Sequence, residues 1–193
     1  MIWAIKNEIK TKAIPKEKAL CPICKEEVIS KCGKIKIWHW AHKSNKDCDN
    51  WYEPESEWHL NWKNEFPKEC QEFTMGKHRA DIRTKSRWII ELQNSSISSE
   101  EIKEREKYYK RMIWLLNGKT IAKNIDLRKK KEKDYVTFRW KHPPKCWWEA
   151  RKQIFIDFGK WYFIAELKKI YHNTPCGGWG ELITKEDFLK KFE

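Results

Sequence analysis

The stretch from Lys77 to Ser95, KHRADIRTKSRWIIELQNS, restricts the fold more than any other part of the sequence. Apolar and polar residues alternate on both sides of Lys85-Ser86-Arg87, which is the pattern of a β-hairpin with one apolar and one charged face. If the turn centres on Ser86, Asp81 lies directly opposite Glu91. Opposed side chains on one face have Cβ atoms roughly 4.5–5.5 Å apart, so the hairpin predicts a pair of neighbouring carboxylates.

Such a pair has two interpretations. Two carboxylates at this distance repel each other unless a cation lies between them, and carboxylate oxygens are the ligands of Mg2+ and Mn2+. We therefore predict Asp81 and Glu91 as ligands of a catalytic Mg2+ or Mn2+ ion. The alternative is a solvated charged face in which both carboxylates pair with nearby arginines, as on many antiparallel sheets. Spacing alone leaves both interpretations open.

A second motif, C-x2-C-x14-H-x2-H, lies nearer the start of the chain. One tight turn supplies two thiolates, and a paired element about 15 residues later can complete a tetrahedron around zinc. We predict a structural Zn2+ site, because four protein ligands leave no open position for water. Cys32 and Cys48 lie within reach as substitute ligands, and a hairpin without metal is the alternative. The predicted ligands are Cys21, Cys24, His39 and His42.

The net charge of +13 favours polyanionic partners such as nucleic acid. Residues 119–152 hold 12 lysines and arginines against 4 acidic residues. Interleaved aromatic residues can stack on exposed bases or pack in the core. A solvated basic loop is the alternative to direct contact with phosphates. The basic residues predicted to bind nucleic acid here are Lys129, Lys130, Lys131 and Arg139.

The compartment follows from hydropathy and cysteine usage. No stretch approaches the roughly 20 apolar residues of a membrane span, and the first residues lack the pattern of a signal peptide. Seven cysteines, an odd number, fit a reducing compartment. We therefore expect a cytoplasmic protein with no membrane partner.

Periodicity and capping signals predict the elements around the hairpin. They comprise a helix over 57–68, a strand over 69–75, a helix over 100–111, a buried strand over 113–116, a hairpin around Gly159 and a last helix over 185–192. A flexible loop is expected at 175–180, where Pro175, Gly177, Gly178 and Gly180 cluster. The strand after the second helix is expected to be parallel to the hairpin. The fold class is therefore α/β (α+β), with a mixed sheet flanked by helices.

The order of the motifs resembles the nuclease-like domain of the competence protein CoiA family, within the PD-(D/E)xK nuclease superfamily. The resemblance covers roughly residues 15 to 117. Similar Cys-x2-Cys and His-aromatic-Ala-His elements precede the nuclease core in that family. The matching motifs are Pro54-Glu55-Ser56-Glu57-Trp58-His59 with Lys63, Arg79-Ala80-Asp81, Glu91-Leu92-Gln93, Ser95, Ile97-Ser98, and Arg105 with Tyr109.

The resemblance implies a restriction-endonuclease-like fold. Residues 1–50 correspond to an N-terminal zinc-ribbon-like lobe, and residues 51–118 to the nuclease-like core. The composition changes from Lys119, so residues 119–193 are expected to form a basic, Trp-rich C-terminal extension with a small α/β structure. We expect the end of this extension to complete the fold or to bind a partner.

The resemblance also implies roles around the predicted metal. Glu57 would complete the metal shell, with a favourable interaction at the helix N-terminus as its alternative. His59 follows it as a catalytic or a hydrogen-bonded structural histidine. Gln93 stands where the family pattern has lysine, and Lys63 is the candidate for the missing positive charge.

On the substrate side, the resemblance implies that Arg105 contacts a backbone phosphate, together with Tyr109 and Ser95. A surface ion pair between Arg105 and Glu101 is the alternative.

These expectations describe a Mg2+- or Mn2+-dependent deoxyribonuclease. Its partner would be DNA, and its process would be competence, recombination or foreign-DNA processing. Recombination proteins, or phage and host proteins, are further candidate partners. Whether the protein forms an oligomer is left open. The Glu-x-Gln feature keeps a second hypothesis open, a non-catalytic, zinc-stabilised nucleic-acid-binding protein with a nuclease-like fold. A third is an interaction module whose basic tail binds an acidic protein.

Overall fold

A computed structural model describes residues 1–44, 48–119, 121–129, 135–159, 163–172 and 176–193. The chain divides into two compact units, Met1–Arg83 and Thr84–Glu193.

The first unit contains a five-stranded antiparallel sheet, a hairpin and a helix. The sheet has the order β2-β1-β3-β4-β5. Small and apolar residues of its strands, including Ala4, Val28 and Trp40, form a compact core. The elements are β1 (Trp3–Lys6), β2 (Ile9–Lys12), β3 (Lys18–Leu20), β4 (Glu27–Lys31), β5 (His39–His42), α1 (Glu57–Lys63), β6 (Gln71–Met75) and β7 (His78–Arg83).

Helix α1 begins with a capping box. The Ser56 side chain accepts a hydrogen bond from the His59 backbone N–H, and the His59 side chain accepts one from the Ser56 backbone N–H. The helix ends at Lys63, earlier than the predicted residue 68. Pro67 explains the difference, because the residue before a proline is driven out of the helical region.

Strands β6 and β7 pair antiparallel, from Gln71 opposite Ile82 to Met75 opposite His78. Gly76 at the turn has a φ of 54°. Glu72 in β6 has a φ of 43°, a conformation that costs an ordinary residue of order 1–3 kcal/mol. The surrounding contacts must therefore hold Glu72 in place.

The second unit contains a mixed sheet with the strand order β10-β11-β14-β13-β12-β9-β8. Strand β9 is parallel to both β8 and β12, and the other pairs within this unit are antiparallel. The elements are β8 (Ile89–Gln93), α2 (Ser99–Tyr109), β9 (Met112–Asn117), β10 (Ile125–Lys129), β11 (Val136–Trp140), a 3-10 helix (Lys145–Glu149), β12 (Gln153–Asp157), β13 (Phe163–Tyr171), β14 (Gly177–Thr184) and α3 (Lys185–Phe192).

Several predicted elements are confirmed in this unit. The β8-α2-β9 crossover gives the expected parallel pair, and every residue of β9 is buried. Strands β12 and β13 form the antiparallel pair predicted around Gly159. The mixed α+β fold class is therefore confirmed.

The glycine-rich loop predicted at 175–180 is wrong where the structure describes it. Gly177, Gly178 and Gly180 lie in strand β14. A Cβ at Gly178 would come within 1.9 Å of the Lys169 carbonyl oxygen, and one at Gly180 within 2.3 Å of that of Glu166. These glycines allow the backbone of β13 to approach β14 closely, and they do not form a flexible loop. Pro175 lies outside the described residues.

Among the described residues, no helix combines the length and the apolar character needed to cross a membrane.

Candidate functional site

Four metal-ligating side chains converge beside the sheet of the first unit. Their ligand atoms all lie within 4.8 Å of one another. The Sγ atoms of Cys21 and Cys48 are 3.5 Å apart, and Cys24 Sγ lies 3.2 Å from His42 Nε2. Tetrahedral zinc with ordinary bond lengths separates such ligand atoms by roughly 3.5–3.8 Å. The cluster of three cysteines and one histidine could therefore hold a structural metal such as zinc.

The fourth member of this cluster differs from the predicted ligand set. Cys48 occupies the position expected for His39, whose Nδ1 instead lies 2.8 Å from the Ile37 carbonyl oxygen. Side chains three apart in a strand point to opposite faces, and His42 shares the buried face of β5 with Trp40. His39 and His42 therefore cannot both face one metal.

The chemistry of the donor set supports metal binding. Burial, together with the neighbouring Cys21 and Cys24 thiols, raises the pKa of the Cys48 thiol to about 12. Three thiolates this close repel one another unless a cation neutralises them. A bound metal ion would supply that charge and deprotonate the thiols.

A second cluster of charged side chains is buried in the first unit around Lys63. The Lys63 ammonium nitrogen lies 2.5 Å from Glu55 Oε1, 3.0 Å from Asp81 Oδ1 and 3.3 Å from Glu72 Oε1. The Lys63 side chain is 2% exposed, whereas that of Asp81 is 23% exposed. We name Glu55, Lys63, Glu72 and Asp81 the Lys63 cluster. It joins the helix, the strand β6 and the strand β7.

The charged groups of the Lys63 cluster shift one another's pKa values. Burial alone would lower the pKa of the Lys63 ammonium, but Glu55, Asp81 and Glu72 outweigh burial and raise it. Burial would raise the pKa of Glu72, but Lys63 and Arg79 hold it below its ordinary value. Burial raises the pKa of Glu55, and the carboxylates of Glu72 and Asp81 add to that effect against the opposing Lys63. The cluster is thus crowded with negative charge beside one central cation.

Glu72 anchors the cluster to the start of the chain. Its carboxylate accepts hydrogen bonds from the backbone N–H of Ile2 at 2.9 and 3.0 Å, and from that of Trp3 at 3.1 Å. Arg79 Nε lies 3.8 Å from the same carboxylate. These contacts satisfy a carboxylate that is almost fully buried and compensate for its strained backbone.

The acidic residue near the start of α1 that joins the Lys63 cluster lies two positions before the predicted one. Glu57 is exposed in the first turn of α1, whereas Glu55 contacts Lys63. Because Ser56 is the N-cap, Glu57 is the first helical residue and projects to solvent. Glu55 precedes the cap and turns inward. Among the two, Glu55 is the residue that the structure brings to Asp81 and Lys63.

His59 is buried at the edge of the same cluster. Its Nε2 lies 3.6 Å from Glu53 Oε2. Burial lowers the pKa of the imidazole, but Glu53, Asp81 and Glu55 outweigh burial and raise it. Nδ1 accepts a hydrogen bond from the Ser56 backbone N–H at 3.2 Å. The neutral ring therefore carries its proton on Nε2, on the side of Glu53.

In the second unit, Glu91 is buried and bound to Arg105. The distance from Arg105 Nη1 to Glu91 Oε2 is 2.6 Å, and Arg105 Nε donates to Glu101 Oε1 at 3.0 Å. Arg105 is itself buried. The structure thus shows the ion pair with Glu101 that was the alternative to a phosphate contact, and extends it to Glu91.

Gln93, Ser95 and Tyr109 lie in the same unit. Gln93 Nε2 donates to the Ser95 carbonyl oxygen at 3.2 Å. Gln93 Oε1 is buried without a hydrogen-bond partner among the described residues. Ser95 is exposed, whereas Tyr109 is buried in the core.

The turn of the central hairpin has the predicted register. The Thr84 backbone N–H donates to the Trp88 carbonyl oxygen at 2.9 Å, and these residues are opposite each other if Ser86 is the centre. Asp81 belongs to the first unit and Glu91 to the second. The opposition of these two carboxylates stays a prediction.

The predicted basic residues of the extension are described in part. Lys129 at the end of β10 and Arg139 in β11 are exposed. Lys130 and Lys131 lie outside the described residues.

Comparison with known proteins covers both units. The model of the N-terminal domain of competence protein CoiA matches residues 4–50. The model of the CoiA nuclease-like domain matches residues 55–171, more than half of the chain. The chain belongs to the CoiA family.

Competence protein CoiA of Bacillus subtilis (strain 168) is 42% identical over 50 residues. That segment covers 26% of this chain and 13% of the Bacillus subtilis protein. No solved structure matches the chain.

The two CoiA domains correspond to the two clusters. The metal-ligating cluster falls within the CoiA N-terminal match, and the four members of the Lys63 cluster fall within the nuclease-like match. Cys48 was noted in the sequence only as a substitute ligand. Side chains alternate between the two faces of a strand, which places His39 and His42 on opposite faces. This alternation was the sequence signal that could have selected Cys48 in place of His39.

Two members of the Lys63 cluster, Glu55 and Glu72, were not predicted. The cap at Ser56 was a signal for Glu55, because it places Glu57 on the solvent side of the first turn. Glu72 carries no sequence signal, since its role depends on contacts with backbone N–H groups about 70 residues away.

Proposed function

We propose that this CoiA-family protein is a metal-dependent nuclease that hydrolyses phosphodiester bonds of DNA. The supporting observation is the Lys63 cluster, in which a lysine ammonium lies 3.0 Å from the partly exposed Asp81 carboxylate. Aspartate, a second acidic residue and lysine are the chemical elements of the superfamily site. Here Lys63 of α1 supplies the lysine, because Gln93 stands at the position where the superfamily usually has one.

The cluster fits a divalent cation by its donor set. Glu55 and Asp81 offer carboxylate oxygens, which hard cations prefer. Burial raises the pKa of Glu55, and the nearby carboxylates of Glu72 and Asp81 add to this effect, so a cation beside Glu55 would favour its ionised form. A bound Mg2+ or Mn2+ ion would lower the pKa of its water and offset charge on the scissile phosphate. Glu91 is the further ligand expected from the hairpin register.

The residues of the chain have separate tasks in this proposal. Asp81 and Glu55 bind the cation, and Lys63 holds both carboxylates in place while its positive charge favours an anionic phosphate nearby. Glu72 holds the lysine from its buried side. His59 orients its Nε2 proton towards Glu53 and thereby fixes the start of α1.

Zinc has a structural task in the proposal. We expect one Zn2+ ion on Cys21, Cys24, His42 and Cys48, where four protein ligands leave no position for substrate. Seven cysteines, an odd number, support a reducing, cytoplasmic setting. The name of the relative supports a role in competence, with uptake or recombination of foreign DNA as the process.

The test is cleavage of single- and double-stranded DNA with Mg2+ or Mn2+. We expect Glu55→Gln, Asp81→Asn and Glu91→Gln to lower the cleavage rate by at least about 100-fold. The exposed Glu57→Gln serves as the matched control and should retain the native rate. Each variant is also tested for DNA binding, so that loss of chemistry is separated from loss of binding.

A non-catalytic nucleic-acid-binding protein is the second candidate. The ion pair between Glu91 and Arg105 favours it, because the guanidinium already binds the predicted metal ligand. If the native protein binds DNA and never cuts it with either metal, the nuclease proposal is overturned and this candidate takes its place.

A further inference from the structure

One groove of the second unit combines cationic side chains with aromatic rings. Its volume is about 350 Å³, within the range of roughly 300–1,000 Å³ of ligand sites. It is bounded by the 3-10 helix, the segment that follows it, and the end of β13. We call it the β13 groove and define it by Trp148, Arg151, Lys152, Lys168, Lys169 and His172.

The aromatic part of the groove is a stacked pair. The rings of Trp148 and His172 have centroids 4.7 Å apart and planes inclined by 21°. Lys145 Nζ lies 5.9 Å from the centroid of the Trp148 ring. His172 is exposed, so a planar base can extend the stack on the imidazole.

A β-bulge supplies part of the positive charge. Leu167 pairs with Gly180 and Lys169 with Trp179, so that Lys168 is an extra residue in β13. A bulge redirects side chains, and both lysines are exposed instead of alternating between the two faces. Lys168 is paired with Glu166 at 3.0 Å and with Glu181 at 3.1 Å. Lys169 forms no salt bridge with a described residue and supplies further positive charge at the bulge.

The opposite wall is held in place through its backbone. Glu106 of α2 accepts hydrogen bonds from the backbone N–H of Arg151 at 2.9 Å and from that of Lys152 at 3.1 Å. These contacts position the backbone of Arg151 and Lys152 and leave both side chains available to a ligand, with Glu149 as an acidic neighbour of Arg151. In the part of the chain that the structure describes, Arg151, Lys152 and Lys169 form no salt bridge.

We propose that the β13 groove binds a single strand of nucleic acid. Arg151, Lys152 and Lys169 contact its phosphates, and an unpaired base stacks on His172, which Trp148 supports from behind. A single strand is favoured over a duplex because stacking on a side chain requires an exposed base. This inference rests on the proposed function, since it names where the chain holds its substrate strand.

The test is fluorescence anisotropy with a labelled oligothymidylate and the zinc-loaded full chain carrying Asp81→Asn. We expect the double reversal Arg151→Glu/Lys169→Glu to weaken binding by at least about 10-fold. His172→Ala, which removes an exposed ring and leaves the fold intact, should weaken it about 5-fold. The control Lys107→Glu/Lys190→Glu makes the same charge change on exposed helical residues and should stay within about 2-fold.

Three outcomes overturn the proposal. In the first, the groove variants bind oligothymidylate like the control. In the second, a duplex of the same length binds as tightly as the single strand and loses as much affinity in the groove variants. In the third, polyglutamate displaces the labelled oligonucleotide as well as unlabelled oligothymidylate does. Native protein that fails to cut DNA but binds it through the groove overturns the nuclease function alone. Cleavage by the groove variants with unchanged affinity overturns the groove alone.

Discussion

Lys63 shows most clearly how single residues determine this site. A lysine that is almost fully buried requires neutralisation, and three carboxylates lie within 3.3 Å of its ammonium nitrogen. Removing one partner of a buried ion pair leaves an uncompensated charge, which typically costs about 3–5 kcal/mol. Lys63 therefore stabilises the fold in addition to its part in the proposed chemistry.

Lys63→Met should accordingly lower the free energy of unfolding by about 3 kcal/mol or more, because Glu55, Glu72 and Asp81 lose their common cation. Urea unfolding followed by tryptophan fluorescence measures the change. Lys77→Met, at an exposed turn position, is the control and should change stability by less than about 0.5 kcal/mol. An unchanged urea midpoint for Lys63→Met would show that the carboxylates need no ammonium.

The metal-ligating cluster separates the two histidines of β5. We expect His42→Ala to bind zinc at least about 100-fold more weakly than the native protein, because it removes one of four ligands. His39→Ala should retain native zinc binding, since its ring lies outside the cluster. Metal analysis after dialysis against a zinc buffer measures both. Loss of zinc in His39→Ala with retention in His42→Ala would restore the ligand set expected from the sequence.

At the scale of elements, strand β14 depends on glycines for its pairing with β13. The Lys169 carbonyl oxygen occupies the space that a Cβ at Gly178 would need. The same pair of strands contains the bulge that exposes Lys168 and Lys169. The glycines and the bulge together determine the shape of the β13 groove.

Gly178→Ala should therefore lower the free energy of unfolding by at least about 2 kcal/mol through overpacking. Gly33→Ala is the matched control, because no heavy atom lies within 4 Å of its added methyl group. Thermal unfolding compares the two variants. A melting temperature of Gly178→Ala equal to that of the control would contradict the strand separation described above.

Glu166 links β13 to α3 and gives the second unit a dependence on pH. Burial alone would raise its pKa, but ion pairs with Lys191 and Lys168 hold the pKa below its ordinary value. A lowered folded-state pKa contributes stability above the unfolded-state pKa, and that stability is lost as the pH falls through the folded-state value.

Replacing Glu166 by Gln should thus reduce stability at neutral pH and flatten the loss of stability below about pH 5. Melting temperatures from neutral to acid pH test this, with Glu104→Gln on the exposed face of α2 as the charge-matched control. Parallel pH profiles for native protein and Glu166→Gln would show that the ion pairs contribute nothing.

At the scale of the whole molecule, the net charge of +13 governs association with polyanions. Neutralisation of phosphates releases counterions, so the affinity for DNA falls with salt. We expect the dissociation constant for oligothymidylate to rise at least about 10-fold between about 50 and 200 mM salt. A peptide nucleic acid of the same sequence, which has a neutral backbone, should bind without this dependence. Equal salt dependence for both would argue against phosphate contacts.

Local patterns predicted much of the fold and only part of the candidate site. Alternation of apolar residues located the strands around the central hairpin, and the helix predicted over 100–111 begins one residue earlier, at Ser99. The two thiolates of Cys21 and Cys24 were evident from spacing. Cys48, Glu55 and Glu72 were not selected. Local signals existed for Cys48 and Glu55, in the strand period and the Ser56 cap, whereas Glu72 becomes a site residue only through neighbours about 70 residues away.

Patterns within the sequence are sufficient for the mixed α+β class, the parallel β8-α2-β9 crossover and the basic character of the molecule. These depend on local periodicity, caps and charge, which the residues carry wherever they lie. Tertiary packing, in contrast, buries Lys63 among three carboxylates, brings Cys48 rather than His39 to the metal-ligating cluster, and exposes two lysines at a bulge in β13. These features depend on which residues share the same small, dehydrated space, and local patterns leave that choice open.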